Sequence, residues 1–140
     1  MSPNSRRRVG QLEKSALRID CQTHVFAKEY GELLTESCGW LQTKRLGHQY
    51  RFSYGSIHEY VLDTETYDIG GKLRDMDDAG IDIGILSTNI PGPELLSPEK
   101  GEKGARICND YIAEVCRKHP DRFLGLASLP LQDREATERE

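Results

Sequence analysis

From residue 68 onward the apolar positions fall into alternating periods. Ile69, Leu73, Met76 and Ala79 recur at helical spacing and Gly80 follows as a stop, which predicts an amphipathic helix. Ile81 to Ser87 is a short isoleucine-rich strand. Pro91, Pro93 and Pro98 break the next stretch, so Thr88 to Gly104 reads as a long loop. Ala105, Cys108, Ile112 and Val115 then mark a second helix, ended by His119-Pro120. Phe123 to Ala127 is apolar at successive positions, as strands of a parallel sheet are. Gln132 to Glu140 begins another helix.

The first half is less regular. Ala16 to Asp20 reads as a strand continuing through Cys21-Gln22-Thr23-His24-Val25-Phe26. Gly31, Gly39 and Gly47 punctuate the mixed segment that follows, and Trp40 sits there among polar neighbours. His48 to Leu62 has the form of a hairpin: Tyr50, Phe52 and Tyr54 alternate with polar residues, Gly55-Ser56 is the turn, and Ile57, Glu59 and Val61 continue the alternation. The segment of about 31–66 interrupts the βα alternation and reads as an insertion, whose aromatic face is expected to lie over a barrel mouth as a lid. Residues 1–15 read as a mobile N-terminal arm.

Strand, insertion, helix, strand, helix, strand and helix start are the order of parallel βαβ units. An eight-stranded barrel needs about 250 residues. The 140 residues therefore predict an α/β fold, the N-terminal part of a (β/α)8 TIM barrel with an inserted β-hairpin. The partial barrel spans 16–140. The alternative is a small flavodoxin-like sheet, which would need about two further strands. Three parallel strands expose an edge and half a core, so the chain by itself is expected to be marginal or prone to aggregate.

Charge and cysteine usage remove several functions. A net charge of −4 gives no basic footprint for nucleic acid. No stretch approaches the roughly 18 apolar residues of a membrane span, and Arg6, Arg7 and Arg8 lead into polar sequence rather than a signal-peptide core. A cytoplasmic protein is the expectation, with a homo-oligomer left open. Cys21, Cys38, Cys108 and Cys116 could form two disulfides, but buried thiols are the plainer expectation. No C-x-x-C pair suggests structural zinc.

Candidate chemistry is concentrated on the first strand. Side chains alternate across a strand, so Asp20, Gln22 and His24 are expected on one face and Cys21 and Thr23 on the other. If that strand lines a barrel, the first set faces the interior near its C-terminal mouth, where barrel enzymes build their sites. Elsewhere, Asp75, Asp77 and Asp78 point in different directions on their helix and read as a solvated face. Asn109 is expected to hydrogen-bond the preceding loop, and His119 to sit at a helix C-terminus.

Ile19-Asp20-Cys21-Gln22-Thr23-His24 resembles the first-strand I-D-x-H-x-H motif of the amidohydrolase-related (amidohydrolase 2) family, which includes enzymes like aminocarboxymuconate-semialdehyde decarboxylase. Leu73 to Asp82, Leu86-Ser87-Thr88, Asn109-Asp110, Pro120 to Phe123 and Leu129 to Gln132 are similar to family segments in the same order. The resemblance implies a distorted barrel holding one divalent metal, usually zinc. It also implies a metal-dependent hydrolase or non-oxidative decarboxylase of a small carboxylated or cyclic substrate. The ligands implied are two first-strand histidines, a later histidine and a late aspartate. Only the first-strand positions carry over, onto Gln22 and His24, and the later ligands would lie beyond Glu140. With two positions alone, the chain is expected to be inactive by itself. A non-catalytic remnant or a metal-free small-ligand binding protein is the alternative.

Two positions depart from the pattern. Gln22 stands where the family has a histidine, and its amide oxygen is a weaker ligand for a transition ion. The semialdehyde enzymes carry substrate-binding arginines on the inserted hairpin, whereas Tyr60-Val61-Leu62-Asp63 has none. Arg51, on the other hairpin strand, is the candidate substitute for binding substrate. The substrate is therefore expected to differ from that of the semialdehyde enzymes.

Overall fold

The computed structural model describes residues 16–37 and 39–140. The N-terminal arm expected over 1–15 and the thiol of Cys38 lie outside the described residues.

Two three-stranded sheets share this chain. Strands β1 (Ile19–Val25), β5 (Ile83–Thr88) and β6 (Phe123–Gly125) form a parallel sheet in the order β1-β5-β6. Helices α2 (Ile69–Ala79) and α3 (Pro98–Lys118) belong to the connections between them, and α4 (Arg134–Arg139) follows β6. Val25, Leu86 and Phe123 from the three strands pack with Met76 of α2 and Ile112 and Val115 of α3 in one apolar cluster. Both helices therefore cover the same face of the sheet, as in the wall of a βα barrel. The opposite face is bare: Ile19, on that side at the start of β1, is 43% exposed and Leu124 is 53% exposed.

Between β1 and α2 lie helix α1 (Lys28–Thr35) and an antiparallel meander of β2 (Leu41–Leu46), β3 (Gln49–Tyr54) and β4 (His58–Asp63). The inserted hairpin is thus a three-stranded sheet. Register pairs Tyr50 with Leu62 and Phe52 with Tyr60, so these side chains share one face. On β4 it is Tyr60 and Leu62 that turn inward, and Ile57, Glu59 and Val61 are exposed, the reverse of the expected alternation. Tyr50, Phe52 and Leu62 pack with Phe26, Tyr30, Leu34 and Leu96 in a second core. The aromatic face expected over the barrel mouth is therefore buried against α1, Leu96 and the middle of α3 at Cys108. Trp40 remains 62% exposed beside Tyr54.

Local chemistry explains where the helices begin and end. Asp68 accepts a hydrogen bond from the Gly71 backbone N–H at 2.6 Å and caps α2, while Gly80 ends it at φ 67, a left-handed conformation that favours glycine. Gly31, expected to punctuate, lies inside α1. A Cβ there would stand 2.6 Å from Cζ of Tyr50, so the glycine permits the meander to approach. α3 begins at Pro98 rather than Ala105, because proline is well placed at the first helical position after Ser97. Lys100 and Lys103 are consequently helical, not in a loop. Gln132 donates from Nε2 to the carbonyls of Pro93 at 3.0 Å and Leu96 at 3.1 Å, holding the approach to α3.

Candidate functional site

The first strand does not alternate regularly. Asp20 pairs with Gly84 and Thr23 with Leu86, so Cys21 and Gln22 together stand opposite the single residue Ile85. This is a β-bulge, which re-aims side chains near functional sites. The result corrects the expected facing of Asp20. Its carboxylate accepts from the Thr23 hydroxyl and from the Gln22 N–H at 3.0 Å, and both Asp20 and Thr23 fall on the helix-covered side. These two bonds hold the Asp20 carboxyl below the ordinary carboxylate range, the Thr23 hydroxyl contributing most. Cys21 and Gln22 are both exposed, so Cys21 is not the buried thiol expected.

His24 lies beyond the bulge, paired with Ser87 on the helix-free face. Its Nδ1 is 3.1 Å from the Ser87 hydroxyl oxygen, and the ring is half-buried. That contact engages one of the two ring nitrogens. Gln22, two residues earlier, is exposed within the bulge. Ile85 and Leu124, a register pair on the neighbouring strands, supply an apolar floor beside His24. The structure therefore places His24 beside Ser87 at the C-terminal end of the parallel sheet, with Gln22 exposed in the bulge two residues before it.

Arg51 is placed elsewhere. It is exposed on β3 and alternates with the buried Tyr50 and Phe52, so it projects from the outer face of the meander. The link between meander and parallel sheet is made by Asn89, immediately after β5. Its amide donates to the hydroxyls of Tyr60, at 3.2 Å, and Tyr67. Burial, with the contact to Tyr60, pushes the Tyr67 phenol up to about 12. Asp75, Asp77 and Asp78 are all exposed as expected, with Asp77 paired to Arg122 at 2.7 Å. Asn109 bonds both backbone groups of Ser128, at 2.7 and 2.9 Å, rather than the preceding loop. His119 caps the C-terminus of α3.

Of the described cysteines, Cys108 is buried and Cys116 partly so, and all are free thiols. Burial pushes the Cys108 thiol up to about 11. No helix among the described residues is long and apolar enough to cross a membrane.

No family model matches the chain. The gamma-resorcylate decarboxylase of Polaromonas sp. is 41% identical over 124 residues, covering 88% of this chain and 33% of that protein. The chain is a homologue of the gamma-resorcylate decarboxylases. The 2-amino-3-carboxymuconate-6-semialdehyde decarboxylase of Dictyostelium discoideum is a more distant relative, 28% identical over 130 residues, covering 89% of this chain and 36% of that protein. Among solved structures, 2,6-dihydroxybenzoate decarboxylase from Rhizobium matches with a TM-score of 0.59 and 31% identity, covering 88% of this chain and 33% of that one. The dihydroxybenzoic acid decarboxylase of Polaromonas sp. JS666, with bound manganese and the inhibitor 2-nitroresorcinol, matches with a TM-score of 0.58 and 26% identity over the same shares. The fold is thus part of an amidohydrolase-type (β/α)8 barrel. The chain spans about a third of the length of these gamma-resorcylate and semialdehyde decarboxylases.

Proposed function

We propose that this chain supplies the first-strand part of the active site of a metal-dependent, non-oxidative decarboxylase acting on a small hydroxylated aromatic carboxylate. The observation that carries the proposal is the setting of His24: on the helix-free face, at the C-terminal end of the parallel sheet, with Nδ1 engaged by Ser87. A ligating histidine is usually oriented through its second ring nitrogen in this way. The greater identity to the gamma-resorcylate than to the semialdehyde enzymes supports an aromatic acid as substrate. So does the absence of arginine from β4.

One imidazole and one amide oxygen fit a divalent metal as part of a donor set. Zinc, the ion the family resemblance implied, prefers nitrogen and sulfur donors, whereas an amide oxygen suits manganese better, and manganese is bound in a similar structure. When bound, the metal would supply a positive centre to hold and polarise an oxygen-bearing substrate. His24 would contribute Nε2 and Gln22 its amide oxygen, while Ser87 keeps the imidazole in one orientation. Ile85 and Leu124 would take the apolar faces of the aromatic ring. Two donors do not complete a site, so the 140 residues alone should be inactive.

The test is a chimera in which residues 16–140 replace the matching third of the Polaromonas enzyme. A folded chimera that releases carbon dioxide from 2,6-dihydroxybenzoate with Mn2+, and loses that activity with His24→Ala, supports the proposal. A folded chimera as active with His24→Ala as without it contradicts it.

A further inference from the structure

The parallel sheet is not the only place where metal-binding side chains converge. His48, Asp63 and Glu65 each offer one ligand atom, and these atoms lie within 4.8 Å of one another. We propose that these three residues form a second divalent-cation site, at the open end of the meander and independent of the donors on the first strand.

The backbone fixes all three positions before any ion arrives. His48 stands in the tight turn between β2 and β3, and Asp63 ends β4. The register pair Gln49 and Asp63 brings the two strands together there. The His48 carbonyl accepts from both the backbone N–H of Thr64, at 3.0 Å, and its hydroxyl, at 2.7 Å. Glu65 follows in the 3-10 turn Thr64–Tyr67, where its N–H donates to Asp63 Oδ1 at 3.0 Å. Gln49 Nε2 donates to Asp63 Oδ2 at 3.1 Å. The ligands thus sit on paired strands and a capped turn, so little ordering is left for binding to impose.

The charges also call for a cation. His48 Nε2 lies 3.3 Å from Asp63 Oδ2, an arrangement that can balance one carboxylate. The second carboxylate, Glu65, makes no side-chain hydrogen bond or ion pair among the described residues. Arg45, the nearest arginine in sequence, is engaged by Glu32 at 2.5 Å and by the Gly47 carbonyl at 3.1 Å.

One imidazole nitrogen with two carboxylate oxygens suits zinc and similar borderline divalent ions rather than calcium, which takes oxygen alone. Three protein donors on an exposed corner leave coordination positions for water or a small anion. His48 also lines a cleft of about 920 Å3 between α1, the meander and α3, together with Lys28, Tyr50 and Tyr111, so the open positions adjoin a concave surface.

The experiment is a Zn2+ titration of the 140-residue chain, followed by calorimetry and by the histidine side-chain NMR signals. Saturable binding that shifts His48 is expected. His48→Ala and Glu65→Gln should each weaken it by about tenfold or more, whereas His24→Ala should leave the His48 response unchanged. Glu65→Gln removes only a charge from an exposed side chain, so its fold is checked by an unchanged circular dichroism spectrum. No Zn2+-dependent shift of His48, or a response that survives Glu65→Gln, would reduce the corner to an ion pair beside a turn and overturn the proposal.

Discussion

Tyr50 and Phe52, in the middle of the meander, are 1% and 0% exposed; Leu124 and Leu126, at and just past the end of the parallel sheet, are 53% and 54% exposed. The aromatic core around Phe26, Tyr30, Tyr50 and Phe52 is complete within these residues. The parallel sheet is covered by helices on one side only, and its other side carries His24 and Ser87 with apolar neighbours open to solvent. In a closed barrel that face would line the interior. The difference separates the parts of the chain that stabilise it from those that would do chemistry.

Phe52→Ala should give the largest effect, a loss of about 3–5 kcal/mol, because it empties the centre of the finished core. Urea unfolding would register it, and a loss below 1 kcal/mol would mean that the meander core contributes little. A smaller effect is tied to Cys108. Its thiol moves from 9.0 to about 11 on burial, so the neutral form is favoured when folded. The linked stability is fully present below pH 9 and is lost as pH rises from 9 towards 11, since the unfolded chain releases the proton first. The amount is on the order of 2 kcal/mol. Cys108→Ala should flatten that part of the stability–pH curve, and an unchanged slope would remove the thiol from the account.

The smallest effect on stability belongs to the open face. Leu124→Ser with Leu126→Ser should change unfolding free energy by only about 0.5 kcal/mol while reducing concentration-dependent association in sedimentation velocity. Destabilisation matching that of Phe52→Ala would erase the contrast between the two regions.

The parts legible in the sequence are those governed by local rules. Helix α2 and its stop at Gly80 follow from apolar spacing and a left-handed terminal residue. Helix α1 was hidden because Gly31 looks like a breaker, and its reason for being glycine, the approach of Tyr50, comes from a strand nineteen residues away. Strand β2 was missed because Gln42-Thr43-Lys44-Arg45 carries no apolar alternation and is held by pairing with β3. The start of α3 was obscured by Pro98, which opens the helix instead of excluding it.

The candidate site divides along the same line. His24 and Gln22 are singled out in the sequence by their spacing and by the family resemblance. Three features depend on pairing with β5: the bulge, the turning of Asp20 to the helix side, and the contact with Ser87, 63 residues away. Arg51 carries the charge a substrate carboxylate would need, but strand alternation directs it outward. His48, Asp63 and Glu65 are ordinary surface residues in sequence and converge only through the β3–β4 register.

The central claim, that His24 presents Nε2 to a metal on the helix-free face, is tested most directly by metal content in the folded chimera with the Polaromonas barrel. Inductively coupled plasma mass spectrometry after dialysis against Mn2+ would compare the parent chimera with His24→Ala and Gln22→His, with His48→Ala in every background so that the meander corner does not contribute. One bound ion is expected in the parent, with a loss of affinity of at least about tenfold in His24→Ala and retention equal to or tighter than the parent in Gln22→His. Equal metal content in the parent and in His24→Ala would contradict the claim, leaving His24 as a histidine held by Ser87 for structural reasons alone.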